Sequence, residues 1–388
     1  LAVPVTVRYT VQGTSATGCK SANLDYDVNI NPEPVLDPLL NPTPVCSGLP
    51  SSVTLGVAAG SVGATTYNIN SILFPGLTAG GSNAGIGNNK PANAIFNDTY
   101  VNTTSGVLTA TYKISPVSAA GCVGPEGTVT LTINPSPDLA NNLNKIVCTN
   151  APSGIVFSTT AASVAAVSYN LISVTPQAGL VPAGTNVAFP ANAVASNYVG
   201  TDRFTNPTNG TLTVTYRVSP VSAAGCIGPQ EDIILTVEPT ITAAPVSLKP
   251  TVCSGSGNGT DLTDITLLSP TTPSAGVITF NYTAVSSVGT QITGFVPALS
   301  GLAMNYQITD NLVNTSNSPA TVTYTITPVA AGASSGTGCT GSPAVIVVTV
   351  EPKPKLVTTT VKTICEGVST AINLTSPTTP SAGTIEFL

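Results

Sequence analysis

The chain has 388 residues, a net charge of −6 and no histidine or tryptophan, and only 7% of its residues are charged. The missing histidine excludes Ser-His and Cys-His catalysis and imidazole metal ligands, and 11 scattered Lys and Arg exclude a nucleic-acid partner. Thr, Ser, Asn, Gly and Pro supply the polarity instead, so the surface is one of hydroxyls and amides that salt hardly screens.

The chain opens inside a strand-like run and shows no signal peptide at Leu1. Val5–Val11 alternates apolar and polar residues around Tyr9, a turn holds Gly18-Cys19, and a second strand closes on Asn31-Pro32. After Cys46 the same pattern returns. Leu108–Ile114 carries Tyr112, and a turn-rich stretch from Ser115 reaches Gly121-Cys122. A second strand then points Val129, Leu131 and Ile133 one way and Thr128, Thr130 and Thr132 the other, ending at Asn134-Pro135. Beyond Cys148, Ala161–Val167 comes nearest to a helical period, but β-branched residues and Gly/Pro surround it.

The third copy of the strand, Thr211–Val218, sends Leu212, Val214, Tyr216 and Val218 to one face. It is followed by Gly225-Cys226 and closes on Glu238-Pro239. The fourth, Val322–Ile326 with Tyr324, leads to Cys339 and closes on Glu351-Pro352. The longest apolar run, near Pro343–Val348, is far short of the ~18 residues of a membrane helix, so no membrane insertion is expected within this segment. After Cys365, Ser376–Gly383 copies Ser269–Gly276.

Each strand pair reads as a long antiparallel hairpin with Gly-Cys at its tip. Cysteines at the tips recur after 103, 104 and 113 residues, and those following the proline linkers after 102, 105 and 112. One small domain is repeated. Short strands with frequent turns and no long helix predict an all-β fold, in which tandem immunoglobulin-like β-sandwich domains form an elongated rod. The proline pairs place the divisions at 1–34 (the end of a truncated repeat), 35–137, 138–240, 241–354 and 355–388 (the start of another), so the molecule is expected to be longer. Proline-rich linkers act as semi-rigid spacers.

Two cysteine pairings fit the period. One joins Cys19 to Cys46, Cys122 to Cys148, and so on. It requires the chain to fold back over a whole strand plus a linker, roughly 33 Å, although bridged Cα atoms lie within about 7 Å. The other joins Cys46 to Cys122, Cys148 to Cys226 and Cys253 to Cys339, each pair at one pole of a sandwich. It is the expected set of structural disulfides, with loops of about 76 to 86 residues stabilising by ~4 kcal/mol each. Cys19 and Cys365 are then left without partners by truncation. Disulfides place the protein outside the cytoplasm.

Other candidates are weaker. The cysteine spacing is not zinc spacing, and Gly255–Gly259 lacks the helix and lysine of a phosphate loop. Asp25 with Asp27, and Asp261 with Asp264 after the Asn258-Gly259 turn, could help hold Ca2+. Neither pair recurs in the other repeats, so each also reads as a solvated turn, and no cofactor is expected. The tyrosines in register, Tyr9, Tyr112, Tyr216 and Tyr324, point inward and read as core, with the hydroxyl tied to backbone. Asn-x-Thr/Ser triplets occur at Asn97, Asn102, Asn209, Asn258, Asn281, Asn314 and Asn373. The Thr-rich outer faces carry little charge to blunt their edges, which leaves lateral self-association open.

The string Thr321-Val-Thr-Tyr-Thr-Ile-Thr-Pro-Val, followed by Gly338-Cys339, Val347-Val-Thr-Val-Glu-Pro-Lys-Pro354 and Ile364-Cys-Glu-Gly367, resembles the PKD-like, immunoglobulin-like repeats of giant surface proteins in Bacteroidetes, among them the gliding-motility adhesins of flavobacteria. The resemblance spans nearly the whole chain. It implies type IX export, attachment at the outer membrane and contact with the secretion and motility machinery. The expected role is non-enzymatic: the shaft of a cell-surface adhesin or filament, with other repeats of the same chain as neighbours. An external surface or polysaccharide would be met by regions outside this segment. The alternative is a spacer in a large secreted, polysaccharide-degrading enzyme.

Overall fold

The structure, a computed structural model, describes residues 3–40, 42–255, 261–331, 338–357 and 363–388. The Gly255–Gly259 loop, the Asn258-Gly259 turn and the Asn258 triplet fall largely or wholly outside them. Among the described residues the elements are β-strands apart from one 3-10 turn at Gly289–Gln291. Alternating Val, Ile, Thr and Tyr favour the pleated backbone over a helix. The weakly helical stretch resolves into a turn followed by the strand Ala166–Pro176.

The predicted hairpins are present, and three copies extend further than the sequence suggested. Leu108–Ser118 pairs antiparallel with Gly127–Asn134, Leu212–Ser222 with Glu231–Val237, and Ala320–Ala331 with Ala344–Glu351. In the first repeat the sheet runs, in spatial order, Val45–Cys46, Gly127–Asn134, Leu108–Ser118, Ala64–Leu73 and Gly87–Lys90. The second and third repeats keep this order, opening with Lys145–Val147 and Thr251–Cys253. The opening strand lies parallel to the closing one in every case. The segment before each opening strand therefore runs the length of the domain, from the pole where the chain enters to the pole where it leaves.

The second layer is built from short ladders, such as Thr78–Ala79 with Tyr100–Val101 and Val181–Ala183 with Arg203–Thr205. Between the layers of the first repeat lie Tyr67, Ile69, Tyr112, Ile114, Leu131 and Ile133 from the main sheet, against Leu36, Leu55, Leu77, Ile95 and Tyr100. Matching cores fill the second and third repeats. Their full burial is the main source of stability, on the order of 1.5–3 kcal/mol per large side chain. The first hairpin, Val5–Val11 with Leu24–Ile30, lacks such a core, and Val5, Tyr9, Val11, Leu24, Tyr26 and Ile30 are exposed. Tyr9 is thus the one register tyrosine that is not buried.

Candidate functional site at the repeat junctions

Parallel pairing decides where the cysteines go. Cys46 lies opposite Asn134 and Cys253 opposite Glu351. The Glu238 N–H donates to the Val147 carbonyl at 2.8 Å, which puts Cys148 at the same exit pole of the second repeat. The Gly-Cys tips sit at the other pole. Gly121, Gly225 and Gly338 take φ of 82, 78 and 71°, a left-handed turn that glycine adopts without a Cβ penalty. Repeats follow one another end to end, so the exit-pole cysteine of one faces the tip cysteine of the next.

Accordingly Cys46 is bonded to Cys226 and Cys148 to Cys339. The expected bridges Cys46–Cys122, Cys148–Cys226 and Cys253–Cys339 are corrected by this connectivity. Between Cys122 and Cys46 stands the closing strand Gly127–Asn134, 8 residues and roughly 26 Å long, far beyond bridging distance. Both bridges join neighbouring repeats, and Cys148 packs against the core of the third. Cys19, Cys122, Cys253 and Cys365 are free thiols. Cys122 holds the tip position at the preceding junction, its thiol donating to the Asn31 carbonyl at 3.9 Å. The available signal was the dozen or so residues between Pro34 and Cys46, about 40 Å when extended, enough to cross a domain.

A second glycine, two residues after each tip cysteine, seats the linker. A Cβ on Gly124 would lie 1.7 Å from the Pro34 carbonyl oxygen. One on Gly228 would lie 1.9 Å from that of Pro137, and one on Gly341 2.0 Å from that of Ile241. No side chain fits there, so Gly-Cys-x-Gly is a docking surface for the incoming backbone. This second glycine escaped the sequence reading.

The junction between the second and third repeats carries a further polar clasp. Glu238 is fully buried, and its carboxylate accepts the Ser274 N–H at 3.0 and 3.2 Å as well as the Ser274 hydroxyl. The Thr272 N–H donates to the Asn209 carbonyl at 2.7 Å. The copied string Ser376–Gly383 repeats this arrangement: Ser381 docks on Glu351, and the Thr379 N–H donates to the Asn317 carbonyl at 2.8 Å. The first junction has Asn134 in place of the acid, and there an open cleft of about 340 Å³ is lined by Ser47, Asn102, Asp138 and Thr160.

Inside each repeat two polar pegs tie loops to the sheet. The hydroxyls of Tyr112 and Tyr216 donate to buried Asp98 and Asp202 and that of Tyr324 to half-buried Asp310, at 3.1 Å for Tyr216 and 2.7 Å for Tyr324. Their partner is therefore a carboxylate and not the backbone acceptor expected. Burial pushes all three aspartates above the usual carboxylate range and the tyrosines well above theirs. Asn102, Asn206 and Asn314 each donate from Nδ2 to a loop carbonyl and to the closing strand, at 2.8 to 3.0 Å. Asn102 and Asn314 are glycosylation triplets by sequence, but both are buried.

Of the acidic pairs, Asp25, Asp27 and Asp261 are engaged, whereas Asp264 Oδ1 is buried with no hydrogen-bond partner among the described residues. Asp27 takes a two-pronged bond from Arg8 at 2.7 Å, a cross-strand pair that Arg217 and Asp232 repeat, and Asp25 accepts from Thr10 at 2.7 Å. Asp261 accepts the Cys253 N–H at 2.5 Å and pairs with Lys249 at 3.6 Å. Among the described residues, no cluster of three or more His, Cys, Asp or Glu is arranged to hold a metal.

The profile of the PKD-like domain matches residues 80–137 and 251–354. The matched segments resemble a PKD-like domain, and they lie within repeats that share one all-β architecture. Among solved structures the chain is similar to the D00-D0 domain of intimin, at 13% identity over 54% of this chain and 98% of that one, TM-score 0.25. It is similar to the chicken CNTN1 FN1-FN3 domains at 9% identity, covering 82% and 98%, TM-score 0.27. Drosophila N-cadherin EC1-4 gives 12% identity, covering 91% and 84%, TM-score 0.24. The chain matches no curated protein.

Proposed function

We propose that this chain is a shaft segment of a cell-surface adhesin or filament, exported to the outer surface and serving surface attachment and gliding. The observation that carries the reading is the connectivity of Cys46–Cys226 and Cys148–Cys339: the bridges fasten repeat to repeat and are not spent inside one domain. A staple across a junction stiffens an array and has no use in an isolated binding module. Disulfides of this kind belong to an oxidising, extracellular setting. The PKD-like match and the nearly uncharged hydroxyl surface fit the same role, which is mechanical and not catalytic.

In a longer array Cys122 and Cys253 would be stapled in the same way to further repeats of the same type. Partners at either end would be the outer-membrane secretion and motility machinery and an external surface or polysaccharide. The test is made on live source cells, with a fluorescent antibody fragment against these repeats. Label that travels along the cell body, with motility impaired, supports a gliding adhesin. Label that stays fixed or is shed moves the reading to a static filament or to the spacer of a secreted enzyme.

A further inference from the structure

We infer that the junction disulfides build a covalent load path that leaves most of each flanking sandwich out of it, so that the chain resists extension even when its domains unfold. The inference deepens the shaft reading and rests on it for its biological use, but the mechanics follow from the connectivity alone.

In the second repeat the tip residue Cys226 leads directly into the closing strand Glu231–Val237, and the opening strand Lys145–Val147 leads directly into Cys148. These two strands are parallel neighbours, with Lys145 opposite Leu235 and Val147 opposite Val237. Tension arriving from the first repeat crosses the Cys46–Cys226 bond at the entry pole. Tension leaving for the third crosses the Cys148–Cys339 bond at the exit pole. The repeat is thus pulled at opposite ends of two paired parallel strands. That geometry shears the ladder and loads its hydrogen bonds together, whereas peeling would break them one at a time.

The same connectivity caps the length. A chain without bridges that unfolds completely extends over all its residues, about 1,400 Å at roughly 3.6 Å each. With both bridges closed, the shortest covalent route runs from the start to Cys46, across to Cys226, back to Cys148, across to Cys339 and on to the end. That route holds on the order of 170 residues, about 620 Å. Residues 47–147 and 227–338 are excluded from it, so the unfolding of the flanking sandwiches releases little of their contour.

The experiment is single-molecule stretching of the whole chain tethered at its two ends. The bridges are first mapped by non-reducing peptide mass spectrometry on the same preparation. The expected result is Cys46–Cys226 and Cys148–Cys339 in the map and a final extension near 620 Å, rising to about 1,400 Å after reduction with a phosphine. A Cys226→Ser, Cys339→Ser double variant is expected to reach the longer value without reductant. Mapped bridges within single repeats, or an oxidised chain that reaches the length of the reduced one, overturn the inference. Neither result bears on where the protein sits on the cell, which the imaging experiment tests separately.

Discussion

Cys46 and Cys226 lie 180 residues apart in sequence with their Cα atoms 5.4 Å apart, one at the exit pole of the first repeat and the other at the entry pole of the second. The bond is possible because the opening strand parallels the closing one. The entering chain crosses the whole domain before its cysteine appears, and so delivers that cysteine to the next domain. Opening this bond is expected to destabilise the pair of repeats by up to about 5 kcal/mol, since it frees a very long loop in the unfolded chain. Cys226→Ser should therefore lower the midpoint of denaturant unfolding and separate the first repeat's transition from the second's. A single unchanged transition would show that the repeats are not coupled through this bond.

Gly228 is the second test of the junction. Its missing Cβ leaves room for the Pro137 carbonyl oxygen, which a methyl group would approach to 1.9 Å. Gly228→Ala forces the linker away from the hairpin tip, at a cost of about 1–3 kcal/mol typical of overpacking. It should also slow closure of the Cys46–Cys226 bond during oxidative refolding. The control is Gly210→Ala, where nothing lies within 4 Å of the added carbon. Equal refolding by the two variants would show that the linker does not need the glycine.

The aspartates bonded to the tyrosines set the response to pH. Burial raises Asp98, Asp202 and Asp310 above their unfolded value. A group whose folded pKa is raised contributes stability that is fully present below the unfolded pKa and is lost as pH rises through the folded one. The chain has no histidine to titrate near neutrality. Opposing carboxylates are Asp27 and Asp232, lowered by bonds to Arg8 and Arg217 but lying in solvent, where screening keeps their effect small, and Asp261, lowered by the Cys253 N–H. The melting temperature should therefore hold or rise as pH falls from 7 towards 4.5. The triple variant Asp98→Asn, Asp202→Asn, Asp310→Asn should flatten that dependence. A fall on acidification that the triple variant leaves unchanged would place the pH response elsewhere.

Asn206 holds the loop before the penultimate strand to the sheet. It donates to the Gly210 and Val237 carbonyls and accepts from the Thr208 N–H and hydroxyl. Asn206→Ala leaves these groups unpaired in a buried place, at about 1–3 kcal/mol. The equivalent residues Asn102 and Asn314 make the same carbonyl bonds. Expression in a host with an N-glycosylation pathway should therefore leave both unmodified in the folded protein, while exposed Asn97 and Asn209 are open to it. Glycan at Asn102 in folded material would contradict this packing.

The hairpins, the proline-bounded strand ends and the inward tyrosines Tyr112, Tyr216 and Tyr324, though not Tyr9, were legible because period-2 alternation and Pro carry local physical meaning. The bridges were not. Their period was plain, but the pole at which Cys46 sits depends on the parallel pairing of Val45–Cys46 with Ile133 and Asn134, a contact some ninety residues distant that no local pattern reports. The Tyr216–Asp202 and Asn206–Val237 bonds were missed for a related reason. Asp and Asn in loops usually face water, and only the fold shows that these are buried. The copied string Ser269–Gly276 and Ser376–Gly383 was visible as a repeat, but its role appears only when Ser274 is seen against Glu238 of the preceding domain.

Cys253 offers a last test, of local electrostatics at an unbridged junction cysteine. Partial burial pushes its thiol above the usual range, and the neighbouring Asp261 adds to the shift. The thiolate is the reactive form, so a raised pKa means slow alkylation at pH 8. Asp261→Asn removes the negative charge while keeping an acceptor for the Cys253 N–H, and should bring the thiol down and speed its alkylation by iodoacetamide. Exposed Cys19, far from Asp261, supplies the internal reference in the same digest. If the ratio of Cys253 to Cys19 labelling is the same in both proteins across pH 7 to 9, Asp261 does not control the thiol, and burial alone accounts for its slowness.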